Sequence, residues 1–222
     1  MKGSGKASAL KSIFYSGTIL LIIALAACLM GAAVGFIDPN AANLAFTVCF
    51  SLLLSFLVVS FLLHKGKKPK AILKGLGLSR KALNWQTVGY GATLFLMYLV
   101  ILFALAAFSQ LTGIQISSNV QQAIGGYPAW ALLFLSVIAP LNEEIAFRGF
   151  LVPRIGVVLS GLLFAILHFG YGSVSEIAVA LWFGLAGGYV FKKTKSLYPS
   201  LITHMAVNSI TAISILAFVH GI

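Results

Sequence analysis

Two adjacent glutamates, Glu143 and Glu144, lie inside a strongly apolar stretch of the chain. The sequence has four acidic residues among its 222, so this pair accounts for half of them. A charge near the centre of a bilayer costs about 2.5–3.5 kcal/mol on insertion scales, which is why ionisable residues within membranes usually have a function. We therefore expect the chemistry of this protein at this pair.

The spacing of the neighbouring arginine separates the roles of the two glutamates. Arg148 follows Glu144 by four residues, so a helix would place these two side chains on one face. Glu143 would point about 100° away from them. The pattern predicts a Glu144–Arg148 ion pair that leaves Glu143 available as a general base. The alternative is structural: an ion pair that holds the end of a helix near the lipid headgroups.

Two further residue pairs combine helical spacing with reactive or hydrogen-bonding side chains. Phe164 and His168 are four residues apart, and so are His204 and Asn208. Lipid would leave the imidazole and amide groups unsatisfied, so we expect His204 and Asn208 to face the bundle interior. The structural alternatives are an interfacial polar group for His168 and an interhelical hydrogen bond for the other pair. Together with Glu143, these residues supply what the attack of water on a carbonyl requires.

Composition and segment length define the fold class. Hydrophobic residues make up 60% of the chain and charged residues 9%, which is too little polar surface to enclose a soluble core. The sequence predicts an all-α fold, a polytopic transmembrane helix bundle with about seven spans and a range of six to eight. The predicted spans are Ser12–Phe36, Ala42–His64, Thr87–Phe108, Tyr127–Gly149, Val157–Phe169, Val174–Phe191 and Leu197–Val219.

The basic residues orient this bundle. With seven spans, all 15 lysines and arginines fall on one side of the membrane, as the positive-inside rule requires, so the N-terminus is predicted to be cytoplasmic. The +11 net charge then follows from topology and attraction to anionic lipid, and we expect no nucleic-acid partner. Residues 1–222 are predicted to form a single membrane domain, with a catalytic motif region at 127–210 and a basic cytoplasmic linker at 65–86. We expect the linker to be solvated; an amphipathic stretch on the inner membrane surface is the alternative.

Three motifs in this order resemble those of the CPBP intramembrane proteases, also called the ABI family, which include the type II CAAX prenyl endopeptidases. The resemblance covers roughly residues 132–210. The matching residues are Glu143, Glu144 and Arg148 in EExxxR, Phe164 and His168 in FxxxH, and His204 and Asn208 in HxxxN.

The resemblance implies an endopeptidase whose active site lies within the membrane. By position, Glu143 and His168 would activate the attacking water, while His204 and Asn208 would hold the developing oxyanion. The supporting residues implied by the motifs are Glu144, Arg148 and Phe164.

The residue types allow a reaction with or without a metal ion. The family is often called a metalloprotease family, and a metal-free mechanism that depends on glutamate has also been proposed for it. Glu143, His168 and His204 could hold a divalent metal such as zinc, with the neighbouring glutamate as the base. We expect no tightly bound metal, with zinc as the alternative.

The expected partners are membrane lipid and a peptide or protein substrate, either lipidated or a transmembrane or leader peptide. The expected location is the plasma membrane of a prokaryote, with the cavity open toward the cytoplasm. Two other classes compete with the protease. One is a small proton-coupled transporter in which Glu143, His168 and His204 relay protons. The other is a catalytically silent scaffold that binds membrane peptides.

Overall fold

The computed structural model describes residues 39–113, 120–171 and 173–220, and every secondary-structure element within these ranges is helical. The all-α prediction is therefore confirmed. In chain order the elements are α1 (Pro39–His64), α2 (Pro69–Gly75), a 3-10 turn (Arg80–Ala82), α3 (Trp85–Thr112), α4 (Val120–Ile124), α5 (Ala129–Glu144), a π-helical segment (Ile145–Leu151), α6 (Val152–Leu167), a second 3-10 turn (His168–Tyr171), α7 (Val174–Thr194) and α8 (Tyr198–His220).

Several of these helices have the length and the apolar composition of membrane spans. Within the described ranges, five stretches are long and apolar enough to cross one, which confirms a polytopic membrane protein. One of them, Ala129–Gly170, is 42 residues long and contains two of the predicted spans. The first predicted span, Ser12–Phe36, lies outside the described residues. The number of spans and the orientation of the N-terminus stay predictions.

The backbone of the long stretch Ala129–Gly170 reverses at Gly156, which divides α6 into a short part before this glycine and a longer part after it. This glycine has φ 86° and ψ 171°, a conformation that side-chain-bearing residues rarely adopt. The Ser160 hydroxyl donates a hydrogen bond of 2.8 Å to the carbonyl oxygen of Phe147. A continuous helix would hold these two residues about 20 Å apart. The chain has therefore folded back, and α6 packs against the π-helical segment that follows the glutamates.

Two compact units make up the chain, residues 1–67 and residues 68–222. The first contains α1, an apolar helix of 26 residues that ends in a turn with Gly66 at φ 72°. The second contains all the other described elements, including the three motifs, so the candidate site lies within a single unit.

The segment between α1 and α3 exposes its lysines and arginines, but some of its other groups contact the rest of the protein. Leu76, just after α2, is 2% exposed. The backbone N–H of Leu197 donates to the carbonyl oxygen of Gly77 at 3.1 Å, and the Ser196 hydroxyl donates to that of Ala82 at 2.8 Å. These bonds hold the basic segment against the turn between α7 and α8. The lysine-rich composition concealed this because the contacts use backbone groups and a few apolar side chains.

Small residues let α6 and α7 pack closely. The glycines at 184–188 predict a close-packing face on the sixth span, and the structure confirms it. A Cβ atom added to Gly184 would lie 2.9 Å from the Cα of Gly161, and one added to Gly188 would lie 3.1 Å from a methyl group of Val157. Such close approach is a common source of helix association in lipid, where hydrophobic burial supplies little driving force.

Replacing Gly184 by alanine or leucine should lower the melting temperature in detergent, because the added Cβ meets backbone atoms of Gly161. Overpacking of this kind typically costs about 1–3 kcal/mol. Gly89→Ala in α3 is the matched control, since nothing lies within 4 Å of an added Cβ there. We expect Gly89→Ala to melt at or above the wild-type temperature. If Gly184→Ala and Gly89→Ala melted alike, the close-packing interpretation would be wrong.

Candidate active site

The predicted ion pair is present at the junction of α5 and the π-helical segment. Arg148 Nη1 lies 3.2 Å from Glu144 Oε1, and the two side chains are 1% and 0% exposed. The other guanidinium nitrogen, Nη2, donates to the carbonyl oxygen of Phe183 at 3.2 Å. The guanidinium also lies over the rings of Phe164 and Phe183, at 4.2 and 4.9 Å from their centroids. The charge of Arg148 is thus held by one carboxylate, one carbonyl and two aromatic faces.

His204 of α8 contacts both glutamates. Its Nδ1 lies 3.1 Å from Glu144 Oε1, and its Nε2 lies 3.8 Å from Glu143 Oε2. A carboxylate only accepts hydrogen bonds, so the contact with Glu144 places a proton on Nδ1. Glu144 therefore orients the histidine as well as pairing with Arg148. Sequence spacing did not predict this contact, because 60 residues separate the two side chains.

His168 sits at the C-terminal end of α6, one turn beyond Phe164. Its Nδ1 lies 2.9 Å from the carbonyl oxygen of Phe164, which can only accept, so Nδ1 carries a proton and, in the neutral imidazole, Nε2 carries the lone pair. The imidazole stacks on the Phe164 ring at 4.7 Å, and the imidazole of His204 lies 5.9 Å from the same ring. Because one phenyl ring contacts both histidines, the two imidazoles share one region of the bundle.

Asn208 lies one turn after His204 on α8 and links this helix to α5. Its side-chain Nδ2 donates a 2.9 Å hydrogen bond to the carbonyl oxygen of Leu135. The structural alternative for this residue, an interhelical hydrogen bond, therefore describes part of what it does. The amide nitrogen carries a second hydrogen, and the side chain also lines the cavity described next.

A small cavity brings most of the predicted site residues together. Its volume is about 70 Å³, which is large enough to hold water. Glu143 is not among the lining residues; its carboxylate reaches this region through its contact with His204. The lining residues are Tyr98, Phe164, His168, Glu176, Val179, Ala180, Phe183, His204, Val207 and Asn208.

Six of these lining residues were not predicted from the sequence, and three of the six have polar or aromatic side chains: Tyr98, Glu176 and Phe183. Glu176 could have been predicted, because it is an acidic residue inside the sixth predicted span. Ionisable residues within membrane spans usually have a function, which is the reason why Glu143 was predicted. Tyr98 and Phe183 had no comparable signal. Aromatic residues are common in apolar helices, and nothing local distinguishes these two from the others.

The candidate metal ligands do not form a metal site in this arrangement. Among the residues that the structure describes, no three His, Cys, Asp or Glu side chains are grouped closely enough to hold a metal ion. The Nδ1–H groups of His168 and His204 point at oxygen acceptors, so a metal would have to bind at Nε2 of each ring. Glu143, His168 and His204 are not grouped around one point in this arrangement, and both the metal-free reaction and the zinc alternative stay predictions.

The fold and the site together define a helical membrane protein with a buried cluster of Glu, His and Arg. The model of the type II CAAX prenyl endopeptidase Rce1-like family matches residues 125–210, a range that contains all three motifs. This match confirms the family resemblance over residues 125–210.

One curated relative adds to this comparison. The chain is 29% identical over 89 residues to the uncharacterized protein YpbD of Bacillus subtilis (strain 168). The aligned region is 38% of this chain and 45% of that protein, so the chain spans about half the length of the relative that it matches. No solved structure matches the chain significantly.

Removing either partner of the buried ion pair should strongly destabilise the protein, and the two losses should not add. Glu144→Gln leaves the Arg148 guanidinium without its carboxylate, and Arg148→Met leaves the carboxylate without its guanidinium. Each single change should cost about 3–5 kcal/mol, the range for breaking a buried pair. The double variant should be less destabilised than the sum of the two, because neither charge is left uncompensated. Thermal unfolding in detergent measures all three; strictly additive losses would show that the two side chains are not coupled.

Proposed function

We propose that the protein is an intramembrane endopeptidase that hydrolyses a peptide bond of a membrane-associated protein or peptide. The observation that carries this proposal is convergence. His168, His204 and Asn208 come from two helices that are distant in sequence and line one cavity, and Glu143 meets His204 at 3.8 Å. A base, two imidazoles and an amide donor in one place are suited to adding water to a carbonyl.

The geometry supports Glu143 and His168 as the groups that activate water. Glu143 Oε2 is buried and accepts no hydrogen bond from the described residues, so it is an acceptor that needs a polar partner. A water molecule that donates to this oxygen would transfer a proton to it as the water oxygen bonds to the carbonyl carbon. The lone pair on His168 Nε2 would orient the same water. The proton on Glu143 would then pass to the leaving amine as the carbon–nitrogen bond breaks.

The oxyanion would be held by Asn208 and His204. Asn208 can donate its second amide hydrogen while the first stays on Leu135. His204 would donate from Nε2 when both ring nitrogens carry a proton. In that state the Glu144 carboxylate, 3.1 Å from Nδ1, would carry the compensating charge. No step in this mechanism is assigned to a metal ion, because the described candidate donors are not grouped closely enough to hold one.

The environment of the site favours a substrate delivered by the membrane. Much of the cavity wall is apolar, from Val179, Ala180 and Val207. A lipidated peptide, a transmembrane segment or a leader peptide meets this requirement, and lipid is the second expected partner. We further propose a prokaryotic plasma membrane as the location and a cavity open to the cytoplasmic side.

Glu143→Gln tests the catalytic assignment. The amide keeps the shape of the side chain but cannot accept the proton, so peptide cleavage should fall by at least about 100-fold, the scale of general-base catalysis. The melting temperature should stay near that of the wild type, because Glu143 lies outside the Glu144–Arg148 pair. The assay uses the purified protein in detergent micelles with a randomised peptide mixture that carries an apolar anchor. New peptide ends are identified by mass spectrometry.

Asp38→Asn is the matched control, because it removes the same charge as Glu143→Gln but outside the three motifs. Cleavage by Glu143→Gln at the wild-type rate would show that Glu143 is not the base. A loss of activity that merely follows a loss of folded protein would make Glu143 a structural residue. A wild-type protein that cleaves nothing would favour the transporter or the silent scaffold, and proton flux in liposomes would distinguish these two.

A further inference from the structure

One face of α7 forms a wall of the cavity. Glu176, Val179, Ala180 and Phe183 all line it, and their spacings of three, four and seven residues place them along one stripe of the helix. Phe183 marks one end of this stripe, because its ring lies 5.2 Å from the imidazole of His204. Glu176 lies seven residues away, about 10 Å along the helix axis. The stripe therefore runs from the neighbourhood of His204 to the carboxylate of Glu176, with the apolar side chains of Val179 and Ala180 between them.

A second polar group accompanies this carboxylate. Tyr98 of α3 lines the same cavity as Glu176. The position of Glu176 near the start of α7 is explained in part by helix stability. The Ser173 hydroxyl caps α7 by accepting from the backbone N–H of Glu176, and an acidic side chain in the first turn of a helix is favourable. Helix stability does not explain why the carboxylate lies in the same cavity as both histidines.

The carboxylate of Glu176 favours a cation in this cavity. Val179 and Ala180 are buried apolar residues, so the charge of Glu176 acts through a medium that screens it less than water does. Glu143 and Glu144 add two further carboxylates near the opposite end of the stripe, where Arg148 is the paired cation. A positively charged group entering the cavity would therefore be drawn toward Glu176, and a negatively charged group would be repelled.

We propose that Glu176 is a specificity-determining residue that binds a lysine or arginine side chain of the substrate. This inference rests on the proposed function, because it assigns the substrate class of the same cavity. The separation of about 10 Å along α7 corresponds to about three residues of extended peptide at roughly 3.3 Å each. The basic residue therefore lies about three positions from the cleaved bond. The residues between them are small or apolar, because they lie against Val179 and Ala180.

The anchored, randomised peptide mixture described above tests this inference by the sequences that are cleaved. Wild-type protein should enrich lysine and arginine about three positions from the new ends by about tenfold over neutral residues of similar length, the ratio that one charge-assisted hydrogen bond supplies. Glu176→Gln should remove this enrichment, and Glu176→Lys should replace it with enrichment of aspartate and glutamate. Asp38→Asn, which removes the same charge elsewhere in the sequence, should leave the enrichment unchanged. The enrichment is a ratio within one preparation, so it does not depend on how much of a variant folds.

A matched pair of peptides that differ by lysine or norleucine at the enriched position separates binding from chemistry. The lysine should lower KM in the wild type, and this advantage should disappear in Glu176→Gln. Cleavage that depends on Glu143 but shows no preference for basic residues, or a preference that survives in Glu176→Gln, overturns the role of Glu176 and leaves the proposed function intact. Absence of any cleavage that depends on Glu143 overturns both.

Discussion

The buried pair of Glu144 and Arg148 is the interaction on which the rest of the site depends. Charges from which water is excluded are costly unless each has a partner and its remaining polar atoms are engaged. Arg148 is paired with Glu144 and contacts the Phe183 carbonyl and two aromatic faces, and Glu144 also accepts from the imidazole of His204. Arg148 Nε and Nη1 and Glu144 Oε2 make no hydrogen bond with the described residues, so the pair meets this requirement only in part. One ion pair ties the segment after α5 to both α7 and α8. The histidine is oriented by the same carboxylate that neutralises the arginine.

Phe164 complements this pair by fixing the positions of both histidines. Its ring contacts the imidazoles of His168 and His204 and the rings of Phe147 and Phe183, all with centroids 4.7–6.1 Å apart. Such contacts hold an imidazole through its faces and edges and leave its nitrogens to make hydrogen bonds. An aromatic cluster is therefore a suitable support for a site in which the ring nitrogens must handle protons.

Irregular backbone surrounds the same cluster. A π-helical segment follows Glu144, the chain reverses at Gly156, and a 3-10 turn begins at His168. Backbone of this kind is tolerated at membrane depth where it is packed in protein or lines a polar cavity, and π-helical segments frequently occur at functional sites. The departures from regular helix let two adjacent segments run side by side, so residues from both contribute to one cavity.

The sequence by itself determined the membrane class, most of the helical segments, the Glu144–Arg148 pair and the shared face of Phe164 and His168. These features follow from apolar length and from the helical repeat, which act over a few residues. The tertiary structure alone decided that Glu144 orients His204, and that Glu176 enters the cavity of the histidines. Such contacts depend on how closely helices approach and where the chain reverses. The glycines at 184–188 predicted a close-packing face, but only the structure shows that Gly161 and Val157 lie against it, because a missing side chain carries no signal about its partner.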